Sequence, residues 1–293
     1  MKSGDPLPTP AGTIAGQKTL AIVAGGGSLP AQVAEGAKAA GVQPIMLRLQ
    51  GQGAEGAPGV ASREFPIGAV GAMARWMREQ GASEVCFAGA VRRPDFKSIR
   101  PDKVGLKALP SIVGAARMGD DALLSAVSDM FAGQGFTVVP PQRYAQHLLA
   151  PVGPIGRMDV PAGARGDIVK ACEVAREVGR LDIGQAAVVC DGLVLAVEAQ
   201  EGTAAMVARV GGLSEAIRGT PDLRNGILAK MLKPAQDGRT DLPTIGPDTV
   251  RAAAAAGIAG IVVEAGQSFV LDRAEVARLA DAAGMFVLGL PEA

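Results

Sequence analysis

Thr19-Leu20-Ala21-Ile22-Val23-Ala24 is an unbroken apolar run, the pattern of a strand buried on both faces of a parallel sheet, and it runs straight into Gly25-Gly26-Gly27. Ser28 stands where an N-cap would, and Pro30 where a first helical turn tolerates a missing N–H. Val33, Ala34 and Ala37 then carry helical spacing on to Gly41. The alternation recurs. Residues 44–47 predict a second strand, 70–80 a helix around Met73, Trp76 and Met77, and 85–89 a further buried strand. The pair Asp120-Asp121 precedes Leu123, Leu124, Val127, Met130 and Phe131, so an aspartate is expected to cap the next helix, and 136–139 closes the series as a strand. Such alternation predicts right-handed βαβ units, hence a Rossmann-like N-terminal domain with a parallel sheet over 18–145.

Periodicity then lapses. Residues 146–166 carry Pro151, Pro154, Pro161 and four glycines and read as a Pro/Gly-rich linker. The remainder, 167–293, predicts a second, mixed α/β domain. It has a helix over 167–178, strands over 187–190 and 193–197 about an Asp191-Gly192 turn, a helical run over 205–210 and a strand over 227–232. A helix over 248–256, strands over 258–264 and 268–271, a helix capped by Asp272 and a strand over 285–290 complete it. Two α/β domains fit a chain of 293 residues. Residues 1–17, with Pro6, Pro8 and Pro10, read as a disordered leader.

Charge and composition narrow the function. Lys+Arg 29 balances Asp+Glu 29, and aromatic residues make up 3% of the chain, so there is neither a basic footprint nor a stacking platform for nucleic acid. No uncharged apolar run reaches the roughly 18 residues that cross a bilayer. The reading is therefore a cytosolic protein that meets a membrane only at its surface. Cys86, Cys172 and Cys190 each lie in an apolar run and read as reduced core thiols, while His147 is the one histidine. A zinc site or a Ser-His-Asp triad lacks material. Any metal must be held mainly by carboxylates, which select hard cations such as Mg2+ or Mn2+.

Four places carry candidate chemistry. Gly25, Gly26 and Gly27 end a buried strand and open a helix, which makes them either a phosphate cradle or a tight turn with close strand-helix packing. Pro30 breaks the dinucleotide fingerprint, which leaves an NADP-type oxidoreductase as the runner-up reading and a non-catalytic binder of a nucleotide-linked lipid as the third. Arg93 follows the strand over 85–89, at an end where open α/β sheets bind ligands. Glu198 and Glu201 converge on a helix start with Thr203 as N-cap, an arrangement that could hold a divalent cation against an anion. Finally, 230–246 is dense in Lys, Arg, Asp and Thr. There Lys230, Lys233 and Arg239 could neutralise phosphate oxygens, with Asp237 or Asp241 in a metal shell or on a water, and Thr244 beside them.

In order along the chain, AGGGSLP, FAGAVRRPDF, GDDALL, GRLDIGQA, AVEAQEGT and KPAQDGRTDLPTIG resemble the UDP-2,3-diacylglucosamine pyrophosphatases of the LpxI type, over nearly everything from Lys18 to Leu290. The resemblance implies a two-domain, metal-dependent enzyme of lipid A synthesis at the cytoplasmic face of a Gram-negative inner membrane. Such an enzyme cleaves UDP-2,3-diacylglucosamine to 2,3-diacylglucosamine 1-phosphate (lipid X) and UMP. It also implies that Gln185 contacts substrate, and that an acid directly follows the threonine of E-G-T-D. Ala204 stands at that position, and the resemblance therefore predicts slow turnover.

Overall fold

The computed structural model describes residues 18–92, 95–96, 99–233 and 242–291. By compactness these form two units. One runs up to Val113 and takes in Val127–Tyr144, and the other consists of Gly114–Ala126 and the chain from Ala145 on.

The first unit is a parallel sheet of β1 (Thr19–Ala24), β2 (Gln43–Leu49), β3 (Ala61–Phe65), β4 (Ala82–Ala88) and β5 (Thr137–Val138), in the order β3-β2-β1-β4-β5. Strand β1, buried at all six positions, pairs on both sides, as a continuous apolar run requires. Helices α1 (Leu29–Ala39) and α2 (Val70–Glu79) belong to this unit, which also takes in α3 (Lys103–Ala116) as far as Val113 and α4 (Asp120–Ala132) from Val127 on. Met73, Trp76 and Met77 of α2 pack with Ile45, Leu47, Val85, Phe131 and Phe136 in one core. Two elements are absent from the hydrophobic pattern. Strand β3 is an edge with four exposed residues before Phe65, so it has no apolar run to betray it. Helix α3 contains Pro110, and its start is fixed by a side chain instead, because Asp102 accepts hydrogen bonds from the amides of Val104 at 3.1 Å and Gly105 at 2.9 Å.

The second unit contains β6 (Gly153–Pro154), α5 (Arg165–Arg180), β7 (Ala186–Cys190), β8 (Leu193–Val197), α6 (Gly202–Gly211), β9 (Ile227–Lys230) and β10 (Thr244–Ile245). It continues through α7 (Pro247–Ala255), β11 (Gly260–Glu264), β12 (Phe269–Val270), α8 (Arg273–Ala282) and β13 (Phe286–Leu290). Six strands form a mixed sheet in the order β6-β13-β11-β9-β7-β8, in which β9, β11 and β13 are parallel and β7 runs against β8 and β9. Alternate residues serve opposite faces. Ala187 and Val189 of β7 meet Ile168, Ala171, Cys172 and Ala175 of α5, while Val188 packs with Met206, Val250 and Val276 from α6, α7 and α8. The Asp191-Gly192 turn has φ of 49° and 75°, the positive angles its sequence predicts, and the Asp167 carboxylate accepts both of its amides at 2.8 and 2.7 Å.

Two expected caps are corrected, and one of the two aspartates opening α4 is engaged elsewhere. Ser28 makes no side-chain bond to the α1 amides and instead accepts one from Gln32 Nε2 at 3.1 Å. Asp272 adopts a left-handed backbone with φ 48° before α8 and makes no side-chain cap bond. Asp121, in the first turn of α4, gives its carboxylate to Lys233. All three cysteines are buried and free. Among the described residues no helix is long and apolar enough to cross a membrane.

Candidate functional site

Strand register brings several polar and charged residues of the second unit to one end of its mixed sheet. Ala186 pairs with Lys230, Lys230 with Val263 and Ala187 with Val197, so the start of β7 and the ends of β8, β9 and β11 lie side by side. Gln185, Glu198, Lys230 and Glu264 are the residues there, the position at which parallel strands offer ligands their carboxyl ends.

Glu198 is 6% exposed. Its Oε1 accepts the Thr203 hydroxyl at 2.7 Å and its Oε2 the Gln185 amide at 3.1 Å. Gly184 permits this, because a Cβ there would collide with the Glu198 backbone carbonyl. Gln185 is locked in turn, since its backbone carbonyl accepts the Met231 amide at 2.9 Å, and among the described residues its side-chain Oε1 is buried with no hydrogen-bond partner. Thr203 is thus not the N-cap. It is the second residue of α6, and its hydroxyl serves Glu198. Glu201 holds the cap position with a helical backbone, and its carboxylate turns to Arg209 Nη2 at 2.7 Å, which keeps it below the usual carboxylate range. Ala204, in the exposed first turn of α6, leaves that turn with no acid.

Lys230 and Thr244 are brought together through the Lys230 ammonium, which donates to the Thr244 carbonyl at 3.1 Å. Lys233, by contrast, is buried, with its ammonium 2.7 Å from Asp182 Oδ1 and 3.3 Å from Asp121 Oδ1. Burial alone would lower the lysine pKa, but the two carboxylates outweigh it and hold the ammonium above its ordinary value. Burial, together with Asp182, pushes the Asp121 carboxyl up against the pull of Lys233. This set sums to one negative charge when all three are ionised, so Lys233 is no free phosphate hook on a solvated loop. Glu264 was not foreseen. It accepts Arg176 Nη2 at 2.8 Å and the Leu232 amide at 2.9 Å, and so fixes the chain leaving β9. Nor were Asp182 and Arg176; the signal available in the sequence for Asp182 is an aspartate just past a helix end where glycine is usual.

Gly25, Gly26 and Gly27 lie in the first unit. The Gly25 amide donates to Ala88 O at 2.8 Å and the Gly26 amide to Ala90 O at 2.7 Å, and a Cβ on Gly25 would sit 2.6 Å from Ala90 O. Those two N–H groups are spent within the fold, which favours the tight-turn reading over the cradle. Arg93, Asp237, Arg239 and Asp241 lie outside the described residues. Among the described residues no group of three His, Cys, Asp or Glu side chains could hold a metal ion. Glu198 is engaged by two donors and Glu201 by Arg209, so the expected pair does not by itself make a cation cage.

Fold and site together define an α/β protein of two sheet-based units, with a buried, hydrogen-bonded carboxylate and a lysine at one end of the second unit's mixed sheet. The chain belongs to the LpxI family: the LpxI N-terminal domain matches residues 19–148 and the LpxI C-terminal domain residues 151–288. It is 48% identical over 273 residues, 93% of this chain and 98% of the relative, to the UDP-2,3-diacylglucosamine pyrophosphatase LpxI of Caulobacter vibrioides. Among solved structures, CobK precorrin-6A reductase matches 94% of this chain and 89% of its own at 11% identity and TM-score 0.30. The Bordetella bronchiseptica enzyme WbmH in complex with NAD+ matches 40% and 37% at 16% identity and TM-score 0.26. Scores that low bear on neither fold nor ligand.

Proposed function

We propose that this chain hydrolyses UDP-2,3-diacylglucosamine to 2,3-diacylglucosamine 1-phosphate and UMP, for lipid A synthesis at the cytoplasmic membrane surface. The observation that carries the reading is the 48% identity to the Caulobacter pyrophosphatase along nearly the whole of both chains. Water attacks the sugar-side phosphorus, the bond from that phosphorus to the bridging oxygen breaks, and UMP leaves with the bridging oxygen. Such a reaction needs positioning and charge neutralisation more than a protein nucleophile. Glu198, fixed through both oxygens, orients the reacting groups, while Lys230 and Arg239 meet phosphate oxygens. Exposed Met118, Leu181 and Ile183, at 80%, 59% and 43%, flank Gly119 and Asp182 in the sequence and offer apolar surface suited to an acylated ligand.

Two finer points belong to the same reading. A hard divalent cation, Mg2+ or Mn2+, would need carboxylates beyond Glu198, for which Asp237 and Asp241 are the candidates, and when bound it would neutralise charge on the phosphate oxygens. Ala204 slows turnover, because the first turn of α6, directly after Glu201, is where a carboxylate would prepare water or join a metal shell. The test is UMP release by the native chain and by Ala204→Asp, each with Mg2+, with Mn2+ and with EDTA. Ala204→Asp is expected to run about 10² to 10⁴ faster, and EDTA to stop both chains until metal is restored. Equal rates would remove the role of Ala204, and indifference to EDTA the cation. Absence of UMP from both chains, with calorimetric binding of NADP and none of the lipid nucleotide, would overturn the hydrolase reading.

A further inference from the structure

Asp182 lies just past the end of α5 with φ 51°, the left-handed position that helices most often give to glycine. Among the described residues, Asp191 and Asp272 are the other non-glycine residues with positive φ. Each of those has a local task, one forming the β7–β8 turn and the other opening α8. The task of Asp182 is at its carboxylate. Oδ1 is 2.7 Å from Lys233 Nζ, and Oδ2 lies against Gly119, where any Cβ would collide with it. Lys233 is seated by the same turn, since its backbone crosses Gly179, where an added Cβ would stand 3.2 Å from Lys233 Cα. Two residues beyond Asp182, Gly184 makes room for the Glu198 backbone and the Gln185 amide bonds its carboxylate. The turn from 179 to 185 therefore sets one cationic and one anionic side chain in the same unit.

We infer that Asp182 is a positioning residue for phosphoanhydride hydrolysis: through its ion pair with the buried Lys233 it pins the turn whose Gln185 backbone amide bonds Glu198, so that this carboxylate is in place before substrate arrives. The inference rests on the hydrolase reading. A carboxylate already aimed costs no reorganisation when the reacting groups meet it. Asp182 is the nearer acceptor and Asp121, at 3.3 Å, the farther. Among the described residues Asp121 Oδ2 is buried with no hydrogen-bond partner, so removal of Asp182 leaves the ammonium an alternative place to turn. A left-handed aspartate is strained, and strain kept at a charged contact points to use of that contact.

The test separates positioning from mere stability. Asp182→Gly relieves the backbone and deletes the carboxylate, while Asp182→Asn keeps the shape and deletes the charge. Both are made in the native chain and in the Ala204→Asp background and assayed for UMP release across substrate concentrations. Melting temperature and the rate at which acetic anhydride modifies Lys233 are measured alongside. Asp182→Gly is expected to fold, its relieved backbone offsetting part of the lost ion pair, while kcat falls at least about tenfold with KM nearly unchanged, the pattern of an interaction used in the transition state. Lys233 should be acetylated faster in both variants. Should Asp182→Gly fail to fold, Asp182→Asn decides. An active parent with native kcat in a folded variant overturns this inference alone; a parent that releases no UMP overturns the hydrolase reading and the inference with it.

Discussion

A lysine left 8% exposed has lost most of its hydration, and two carboxylates at 2.7 and 3.3 Å from its ammonium must make good that loss. Removing the ammonium strands both carboxylates together. Lys233→Ala should therefore cost about 3 kcal/mol of stability, whereas the same change on a solvated loop moves folding by less than about 0.5 kcal/mol. Lys230→Ala gives up one bond to a carbonyl and should cost about 1 kcal/mol. Urea unfolding of the two variants checks the contrast, and equal small losses would return Lys233 to the surface class. The residue types at this site were legible as a dense run of Lys, Arg, Asp and Thr. Their partners were not, because Asp121 and Asp182 lie 112 and 51 positions away from Lys233 in the chain and no spacing rule reaches that far.

At the scale of elements, hydrophobic pattern recovers what is buried and misses what is not. Strand β1 and the β7–β8 hairpin were legible to within a residue or so, one from an unbroken apolar run and the other from an Asp-Gly turn that needs positive φ. Strand β3 and helix α3 were not, since an exposed edge and a proline-bearing helix started by Asp102 both depart from the pattern that reveals elements. Helix α6 begins at Gly202, three residues ahead of the run its sequence predicts, and Thr203 is no cap because its hydroxyl has a better acceptor in Glu198. Gly184 is the element-level key to that contact. Gly184→Ala drives a methyl group into the Glu198 carbonyl, and overpacking of this kind costs about 1–3 kcal/mol. The expected result is a lower melting temperature together with weaker binding of UDP-2,3-diacylglucosamine in calorimetry. An unchanged melting temperature would show that the turn yields freely and does not set Glu198.

For the molecule as a whole, several buried groups hold their protons longer folded than unfolded. Burial pushes Cys172 and Cys190 up to about 11, burial and the bond to Glu84 push Tyr144 up to about 12, and Cys86 and Lys233 are also raised. Between the unfolded and folded values the unfolded chain binds fewer protons, so stability falls as pH rises. The loss should begin near pH 9, where unfolded thiols ionise, and each thiol raised to about 11 contributes on the order of 2–3 kcal/mol at most. Calorimetric melting from pH 8 to pH 11 should show a steady decline that Cys172→Ala makes shallower, and a flat profile would refute the sign.

The pairing of β6 with β13 bears on how the protein behaves in a crowded solution. An uncovered β13 would offer a row of unsatisfied backbone groups to any neighbouring chain, the usual beginning of intermolecular sheet growth. Here the two-residue strand Gly153–Pro154 lies antiparallel along it, and Gly289, lacking a Cβ, lets the Pro151 carbonyl close in beside it. Pro154 has no N–H to pass on, and two residues are too short a template to recruit another strand. The stretch whose prolines and glycines read as mere connection thus works as a selvedge, finishing the border of the second sheet against fraying into aggregates.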